Sequence, residues 1–419
     1  MDRSISIHLA RAMDGTGLRL SADVNSQQTL TFEPPRLIDH GQSPADFLAL
    51  ATPNGKRVVL GREQNLLSID GGASWHPSSS VPIRSAIHRI PEHPMAQREL
   101  MTIGRWQSGF SNGTLLKTMG SRRFSLMDGV APSLPRISST AAPAMTFVGL
   151  PRPVRLFRWG GSSSLALPSG GWLKSAIVNW ADPKPRDPTH GAPCSVIVFN
   201  STSDGRVWRY IATLADAADY PQSEEGPNEH DVALLADGLT LLAVIRMDGG
   251  DGVGSPYLNY SSTLSSDFGA TWSRLRPTNA GCARPRLMLL GKTLLLSGGR
   301  HRSANTSDAL LWANADDGRG ERWRPYSLSY HHNAGAAPGT ALFDARVNKS
   351  RGPWHEPRET NAYTSIVPLD DSSALITYDY QQPCAGSTRL TLPVDNSATD
   401  TLRAGATCTT SFSMVVHVG

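Results

Sequence analysis

A glutamate and an arginine flank a strongly aliphatic stretch in the middle of this 419-residue sequence. Glu229 opens the stretch, residues 232–235 turn at an Asp-Gly pair into residues 241–245, and Arg246 closes it. An ionised side chain among so many aliphatic residues is costly to bury unless it has a partner. Arginine offers a carboxylate two parallel, permanently charged donors. The stretch therefore predicts a charged site at the end of a β-hairpin; the alternative is two surface charges at strand ends.

Tyr363 is a second residue with chemical potential, because it stands at the start of another apolar run, residues 365–368. A free tyrosine has a pKa of about 10, so its hydroxyl needs a neighbouring base before it can act as a nucleophile. The alternative is a packed aromatic residue, since tyrosine is common in strands.

Two octapeptides, residues 68–75 and 265–272, share the pattern Ser-x-Asp-x-Gly-x-x-Trp. The aspartate suits a tight turn in which it accepts hydrogen bonds, the glycine supplies a positive φ, and the tryptophan packs beneath the turn. Residues 201–208 form a decayed copy with Ser203 at the aspartate position, and residues 314–318 form another whose Trp323 comes two residues late. Residues 125–129 lack the tryptophan. Recurrence of this kind predicts a repeated supersecondary unit.

Between the octapeptides the sequence alternates apolar runs with short turns, several of them Asn-Gly or Asp-Gly, which is typical of β-hairpins. No long stretch has the spacing of an amphipathic helix. With a less regular unit around residues 99–128, the pattern predicts six β units. The predicted hairpins join residues 47–51 to 58–60, 164–167 to 173–178, 232–235 to 241–245, 287–290 to 294–296, and 365–368 to 374–378.

The octapeptide is identified as the Asp box of sialidase-like proteins, and the chain resembles that family from about residue 36 onward. The resemblance implies an all-β fold, a six-bladed β-propeller of four-stranded antiparallel sheets. Residues 1–30 are then an N-terminal segment that contributes the ring-closing strand, expected within residues 4–24, and residues 31–419 are the propeller.

The same resemblance implies roles for the residues above. Tyr363 matches the family nucleophile, and Glu229 matches the base that takes its proton. A neutral tyrosine suits a substrate such as sialic acid, whose anomeric carbon carries a carboxylate that would repel a carboxylate nucleophile. Arg246 matches one member of an arginine clamp for that carboxylate.

The clamp needs further arginines. Arg300 and Arg302 are the candidates from the fifth blade, and they are preferred to Arg284 and Arg286, which lie at the start of the incoming strand. Asn179 and Trp180 match a segment that lines the family's substrate pocket, although Trp180 has the alternative of simple packing.

The first blade departs from the family, because the chain lacks both the Arg-Ile-Pro motif before the first strand and the acid-bearing loop after the second. Arg36 and Arg62 are substitute candidates for the missing arginine. Asp46 and Glu63 are substitute candidates for the missing acid. None of the four matches a family motif.

Three functions follow from the resemblance. The first is an exo-α-sialidase that cleaves terminal sialic acids from a glycan. The second is a hydrolase with the same mechanism for another ulosonic acid, such as Kdn or Kdo. The third is a non-catalytic Asp-box propeller that binds glycan or protein. No cofactor or metal is expected, and the four cysteines lack metal-ligand spacing.

Composition fits a turn-rich β chain, with 38 glycines and 30 prolines. The net charge of +4 is small and scattered, which argues against a nucleic-acid partner. The sequence contains no run of about 18 apolar residues, so it predicts no membrane-spanning helix. Residues 1–12 lack the features of a signal peptide, so the compartment is left open.

Cys384 and Cys408 are either a disulfide or two free thiols. Sequons compatible with secretion occur at Asn112, Asn200, Asn259, Asn305 and Asn348.

Overall fold

The chain folds almost entirely into β-strands in the part that a computed structural model describes. That part contains 26 strands and one α-helix, α1 (Leu328–Gly335), which Ser327 caps by accepting a hydrogen bond from the backbone N–H of Tyr330. The described residues are 29–40, 47–51, 57–61, 66–77, 87–89, 99–111, 114–127, 136–158, 165–168, 170–181, 193–201, 205–223, 225–247, 259–281, 283–303, 306–316, 319, 322–343, 363–383 and 407–419.

In chain order the strands are β1 (Leu30–Phe32), β2 (Arg36–His40), β3 (Phe47–Ala51), β4 (Arg57–Gly61), β5 (Leu66–Ser68), β6 (His76–Pro77), β7 (Ile87–Arg89), β8 (Glu99–Ser111), β9 (Thr114–Met127), β10 (Arg136–Val148), β11 (Val154–Arg158), β12 (Leu165–Ala166), β13 (Trp172–Trp180), β14 (Ser195–Ser201), β15 (Val207–Ala215), β16 (His230–Leu234), β17 (Leu241–Ile245), β18 (Ser261–Ser265), β19 (Arg276–Pro277), β20 (Ala283–Leu290), β21 (Thr293–Ser303), β22 (Thr306–Asn314), β23 (Trp323–Ser327), β24 (Ser365–Pro368), β25 (Ser373–Pro383) and β26 (Thr407–Val418).

These strands form five sheets, numbered here along the chain. Sheets 1 (β3–β6), 3 (β16–β19) and 4 (β20–β23) are four-stranded antiparallel meanders. Sheet 2 joins nine strands, β7 to β15, through one parallel pair between β10 and β15. Sheet 5 consists of β24, β25 and β26 with β1 and β2. All five predicted hairpins are confirmed by antiparallel pairing of their strands.

Sheet 5 is completed by an early segment of the chain. Both β1 and β2 pair with the outer edge of β26, with Leu30 opposite Val418 and Arg36 opposite Ser413. The described early strands in this sheet are therefore β1 and β2. The segment expected to close the ring, residues 4–24, lies outside the described residues. This pairing covers a sheet edge that would otherwise expose its backbone groups.

The apolar core lies between the sheets. Each sheet from the second onward packs face to face on the next one in chain order, and sheet 5 packs on sheet 1. Each of the four clusters contains nearly or fully buried residues from both sheets: Leu173 with Leu241, Val244 with Leu294, Leu311 with Ile376, and Leu375 with Val59.

One strand from each sheet also lies beside a strand of a neighbouring sheet. Strand β12 contacts β16, β16 contacts β20, β20 contacts β24, and β24 contacts β3. The starts of β24 and β3 meet where the backbone N–H of Phe47 donates to the Ser365 hydroxyl, 3.3 Å away. Side chains at the starts of these strands are therefore gathered from different sheets to one place.

The two octapeptides adopt the same hydrogen-bonded turn. In each, the first serine donates to the aspartate (2.9 and 2.8 Å) and accepts from the glycine at the fifth position (2.7 and 2.8 Å). The hydroxyl at the seventh position donates to the other aspartate oxygen at 2.6 and 2.5 Å. The indole N–H of Trp272 donates to the carbonyl of Gly269, and Trp208 in the decayed copy donates likewise to Gly205. The Trp75 indole N–H has no hydrogen-bond partner among the residues that the structure describes.

The fifth-position glycines also set the spacing between sheets. Gly72 and Gly269 have φ values of +88° and +93°. A Cβ on Gly269 would lie 2.6 Å from Leu173 of sheet 2, and one on Gly72 would lie 2.8 Å from Leu375 of sheet 5. Each octapeptide turn therefore rests directly on a strand of a neighbouring sheet, β13 beneath Gly269 and β25 beneath Gly72.

Candidate functional site

Glu229 is the centre of the candidate site. It stands immediately before β16, and its side chain is 19% exposed. One carboxylate oxygen accepts from the Arg246 guanidinium at 2.9 Å and from the backbone N–H of Arg284 at 2.9 Å. The β16–β17 hairpin brings Glu229 and Arg246 opposite each other, because the Arg246 backbone N–H also donates to the Glu229 carbonyl at 2.7 Å. The two residues are therefore an ion pair fixed by a hairpin.

Tyr363 reaches the same carboxylate from a different sheet. It lies two residues before β24, and its hydroxyl is hydrogen-bonded to the Glu229 carboxylate. The next residue, Thr364, is fully buried and donates to the Ser297 hydroxyl at 3.0 Å, which ties the start of β24 to sheet 4. The structure thus brings together three residues selected from the sequence, one of them from a distant part of the chain.

The surroundings of this group move the pKa values of Glu229 and Tyr363 in opposite directions. Burial raises the pKa of Glu229, but the Arg246 charge and the hydrogen bonds from Tyr363, Arg246 and Arg284 outweigh it and leave that pKa below its ordinary value. Burial, together with the negative charge of Glu229, raises the pKa of Tyr363 to about 12. At neutral pH the pair is an ionised carboxylate that accepts a hydrogen bond from a neutral phenol.

Arg284 contacts Glu229 and Tyr363, although the sequence analysis preferred Arg300 and Arg302 to it. Its backbone N–H binds Glu229, and its guanidinium carbon lies 5.0 Å from the centre of the Tyr363 ring. Its φ is +37°, and the β20–β21 register shifts between Ala283 and Arg286, which marks a β-bulge. The available sequence signal was Pro285, because proline inside a strand run is confined to edges and bulges.

Arg300 and Arg302 both lie on β21. Gly299 pairs with Ala283, so Arg300 follows directly at the end of sheet 4 that carries Arg284. The side chains of Arg300 and Arg302 lie outside the described part of the structure.

Arg286 is the other arginine at the start of β20. It is 8% exposed and pairs with Ser297 within sheet 4. Its charge, that of the buried Lys174 and burial itself all act on His230; burial dominates and lowers the pKa of His230 to about 4. His230 is therefore neutral at physiological pH, although it adjoins Glu229.

Arg36 lies outside the group formed by Glu229, Arg246, Arg284 and Tyr363. It pairs with Ser413 on the outer edge of sheet 5, about three strand spacings, or roughly 14 Å, from the strand that follows Tyr363. Its guanidinium binds Glu33 at 2.8 Å. The expectation of Arg36 in the clamp followed chain order, whereas pairing with β26 carries β2 away. Arg62, Asp46 and Glu63 lie outside the described residues.

Asn179 and Trp180 are both 3% exposed. Trp180 packs in an aromatic cluster with Phe157 and Phe199, and the Arg152 guanidinium lies 4.5 Å from its ring centre. Asn179 donates to the Cys194 sulfur at 3.4 Å. Their surroundings are those of core residues, which favours packing over a pocket-wall role.

Comparisons with known proteins give remote structural likenesses. No protein-family model and no curated protein matches the chain. A protein of unknown function from Dyadobacter fermentans is similar over 93% of this chain and 99% of its own, at 13% identity and a TM-score of 0.49.

Trypanosoma rangeli sialidase in complex with the inhibitor DANA is similar over 99% of this chain, at 12% identity and a TM-score of 0.42; this chain spans 58% of that one. An α-L-arabinofuranosidase from Fusarium graminearum is similar over 93% of this chain and 97% of its own, at 14% identity and a TM-score of 0.44. Likenesses this remote leave the activity of this chain to be judged from its own residues. In the described part of the chain, no helix has the length and apolar character needed to cross a membrane.

Proposed function

We propose that the protein is a sialidase-type glycoside hydrolase that cleaves a terminal ulosonic acid, with sialic acid as the leading candidate. The observation that carries the proposal is the hydrogen bond between Tyr363 and Glu229, with Arg246 paired to the same carboxylate. A phenol on an ionised, arginine-paired carboxylate is the arrangement that an activated tyrosine nucleophile requires. The group draws on the starts of three strands, because Glu229 precedes β16, Tyr363 precedes β24 and Arg284 lies on β20.

The proposed reaction begins with proton transfer and attack. Glu229 takes the phenolic proton as the Tyr363 oxygen bonds to the anomeric carbon, and the glycosidic bond breaks with its electron pair on the leaving oxygen. Protonation of that oxygen completes the first step. Water then attacks the anomeric carbon and gives one proton to the group that earlier protonated the leaving oxygen. The bond from that carbon to Tyr363 breaks with its electron pair on the tyrosine oxygen, Glu229 returns its proton there, and the configuration is retained.

Substrate recognition rests on the anomeric carboxylate. Arg246 binds it in this proposal, together with Arg300 or Arg302 from β21 and with Arg62 in place of the first-blade arginine. The acid that protonates the leaving oxygen is Asp46 or Glu63. A bound carboxylate competes with Glu229 for Arg246, which weakens the ion pair and makes Glu229 a stronger base.

The proposed architecture is a six-bladed propeller. Packing of consecutive sheets, side-by-side strands of neighbouring sheets and completion of sheet 5 by β1 all support a closed ring. Sheet 2 supplies two blades, β7–β10 and β11–β15, with β11 and β12 as two parts of one inner strand along β13.

The test compares an aryl α-sialoside, the matching aryl Kdn glycoside and sialyllactose. Tyr363→Phe should reduce turnover of the preferred substrate by roughly 10³-fold, because the nucleophilic oxygen is gone. Tyr330→Phe is the matched control, since Tyr330 is 61% exposed on α1. Circular dichroism should show both variants folded.

Each result separates the candidate functions. Turnover of the sialosides supports the leading candidate, and turnover of the Kdn glycoside alone moves the proposal to that sugar. Reaction of the aryl substrate but not of sialyllactose shows that the leaving oxygen receives no acid assistance. A folded protein that turns over none of the three between about pH 4 and pH 8 contradicts the hydrolase proposal and favours a binding propeller.

A further inference from the structure

Arg284 contacts both members of the proposed catalytic pair with different parts of the same residue. Its backbone N–H donates to the Glu229 carboxylate at 2.9 Å, and its guanidinium lies over the Tyr363 ring at 5.0 Å. Glu229 belongs to sheet 3 and Tyr363 to sheet 5, whereas Arg284 belongs to β20 of sheet 4 between them. One residue therefore links the two halves of the pair across three sheets.

The backbone is shaped for this double contact. A non-glycine residue at a φ of +37° carries local strain, and such strain persists only where the surroundings hold it. Here Pro285 follows directly, and the buried Tyr260 hydroxyl donates to the Ala283 carbonyl at 2.8 Å. The resulting bulge turns the N–H of Arg284 away from the sheet ladder and toward Glu229.

We propose that Arg284 is a positioning residue that holds the Glu229 carboxylate against Tyr363 and stabilises the Tyr363 phenolate as it forms. The role rests on the proposed function for its place in a reaction, but its effect on Tyr363 is a property of the protein without substrate. When the phenolic proton moves to Glu229, one O–H bond breaks, another forms, and the electron pair stays on the tyrosine oxygen. Negative charge then grows on the ring that the guanidinium covers, so this attraction strengthens as the reaction proceeds.

The charges that act on the pKa of Tyr363 also support a role for Arg284. Burial and the Glu229 carboxylate hold the Tyr363 pKa high, whereas Arg284 and Arg246 oppose them. Arg246 is already engaged by Glu229 and, in the proposed reaction, by substrate. Arg284 is the cation that the structure places over the ring itself.

The test measures the pKa of residue 363 directly. A fluorinated tyrosine, whose phenol titrates at lower pH, is placed at position 363 and its ultraviolet absorbance is followed against pH. Arg284→Gln removes the charge and retains a side chain of similar reach. Arg324→Gln is the matched control, because Arg324 lies 5.5 Å from the ring centre of Tyr326 in the same sheet.

We expect Arg284→Gln to raise the pKa of residue 363 and Arg324→Gln to leave it unchanged. In protein that carries ordinary tyrosine at position 363, Arg284→Gln should lower kcat roughly tenfold with little change in KM. Arg284→Lys, which keeps the positive charge, should lower kcat less than Arg284→Gln does. Arg284→Gly keeps the backbone N–H and fits the positive φ, so it should reproduce the raised pKa while the fold stays intact.

An unchanged pKa of residue 363 in folded Arg284→Gln and Arg284→Gly would overturn the proposal. A fall in turnover with no change in that pKa would overturn it equally, since it would mark Arg284 as a substrate contact. If the pKa rises but the unsubstituted protein turns over no ketoside, the positioning role stands and the proposed function fails.

Discussion

The octapeptide turns and the Glu229 site both centre on a carboxylate that accepts several hydrogen bonds, but the donors come from different distances along the chain. Asp267 takes all its described hydrogen bonds from within residues 265–272. Glu229 takes its side-chain hydrogen bonds from Arg246, Arg284 and Tyr363, which belong to three sheets. The hydrogen bonds of the turn therefore need only neighbouring residues, whereas the site needs residues from three parts of the assembled fold.

The two carboxylates also differ in their exposure to solvent. Asp267 is exposed, so its pKa is lowered mainly by the Thr271 hydroxyl and N–H. Glu229 is mostly buried, so it needs the Arg246 charge to remain ionised. Changes in the turn should affect stability alone, and changes at the site should affect chemistry first.

The largest effect is expected from Glu229→Gln, which tests the site side of the comparison. An amide cannot take the phenolic proton, so kcat should fall by about 10²- to 10⁴-fold. The melting temperature should also fall, because Arg246 loses its counter-charge. Glu33→Gln is the matched control, since Glu33 pairs with Arg36 on the outer edge of sheet 5. Wild-type kcat in Glu229→Gln would remove Glu229 from the mechanism.

The same residue gives the pH dependence a sign. The pKa of Glu229 is below its ordinary value of 4.5, so the base is ionised above that pH and is lost as pH falls through the lowered pKa. The acid limb of kcat/KM should follow this titration and be absent from the residual activity of Glu229→Gln.

Gly298→Ala should have the next largest effect, and it tests whether the bulge that carries Arg284 depends on packing behind it. A Cβ there would lie 2.1 Å from the Tyr260 hydroxyl and 3.0 Å from the Ala283 carbonyl. Overpacking of this kind costs about 1–3 kcal/mol, measured by urea unfolding. Adding Tyr260→Phe removes the colliding hydroxyl and should recover part of the stability. Equal stability of Gly298→Ala and wild type would show that the bulge yields freely.

Asp267→Asn should have the smallest effect, confined to stability. The amide loses the charge-assisted bond from Thr271, which in an exposed turn contributes roughly 1 kcal/mol or less. The stabilisation by Asp267 is present above the unfolded pKa and is lost as pH falls through the lowered folded pKa. Urea unfolding should therefore separate the variant from wild type at pH 7 and bring them together in strong acid. Altered kcat in Asp267→Asn would break the distinction between turn and site.

The sequence predicted what short-range rules govern. The octapeptide turns follow from hydroxyl, carboxylate and glycine chemistry within eight residues. Glu229 and Arg246 were predicted to share one site through the family resemblance, whereas the ion pair between them is a finding of the structure. The contact of Tyr363 with Glu229 was predicted only through family resemblance, because no local rule joins sheets 3 and 5.

The residues that sequence reasoning misplaced depend on irregular backbone or distant pairing. Arg284 gains its role from a positive φ in a β-bulge, for which Pro285 was the sole sequence hint. Arg36 was assigned by chain order, but β2 pairs with β26 from the opposite end of the described chain. For Trp180 the sequence left a pocket-wall role and simple packing open, and its side chain is 3% exposed among core residues.

The pairing of β1 with β26 has a consequence for synthesis of the protein. Leu30 leaves the ribosome long before Val418, its partner in the sheet. At about 5–20 residues per second, β1 waits roughly 20 to 80 s for the strand that receives it. During that interval β26 is absent and sheet 5 is unfinished. Sheet 5 can therefore be completed only after the strand that receives β1 has been synthesised.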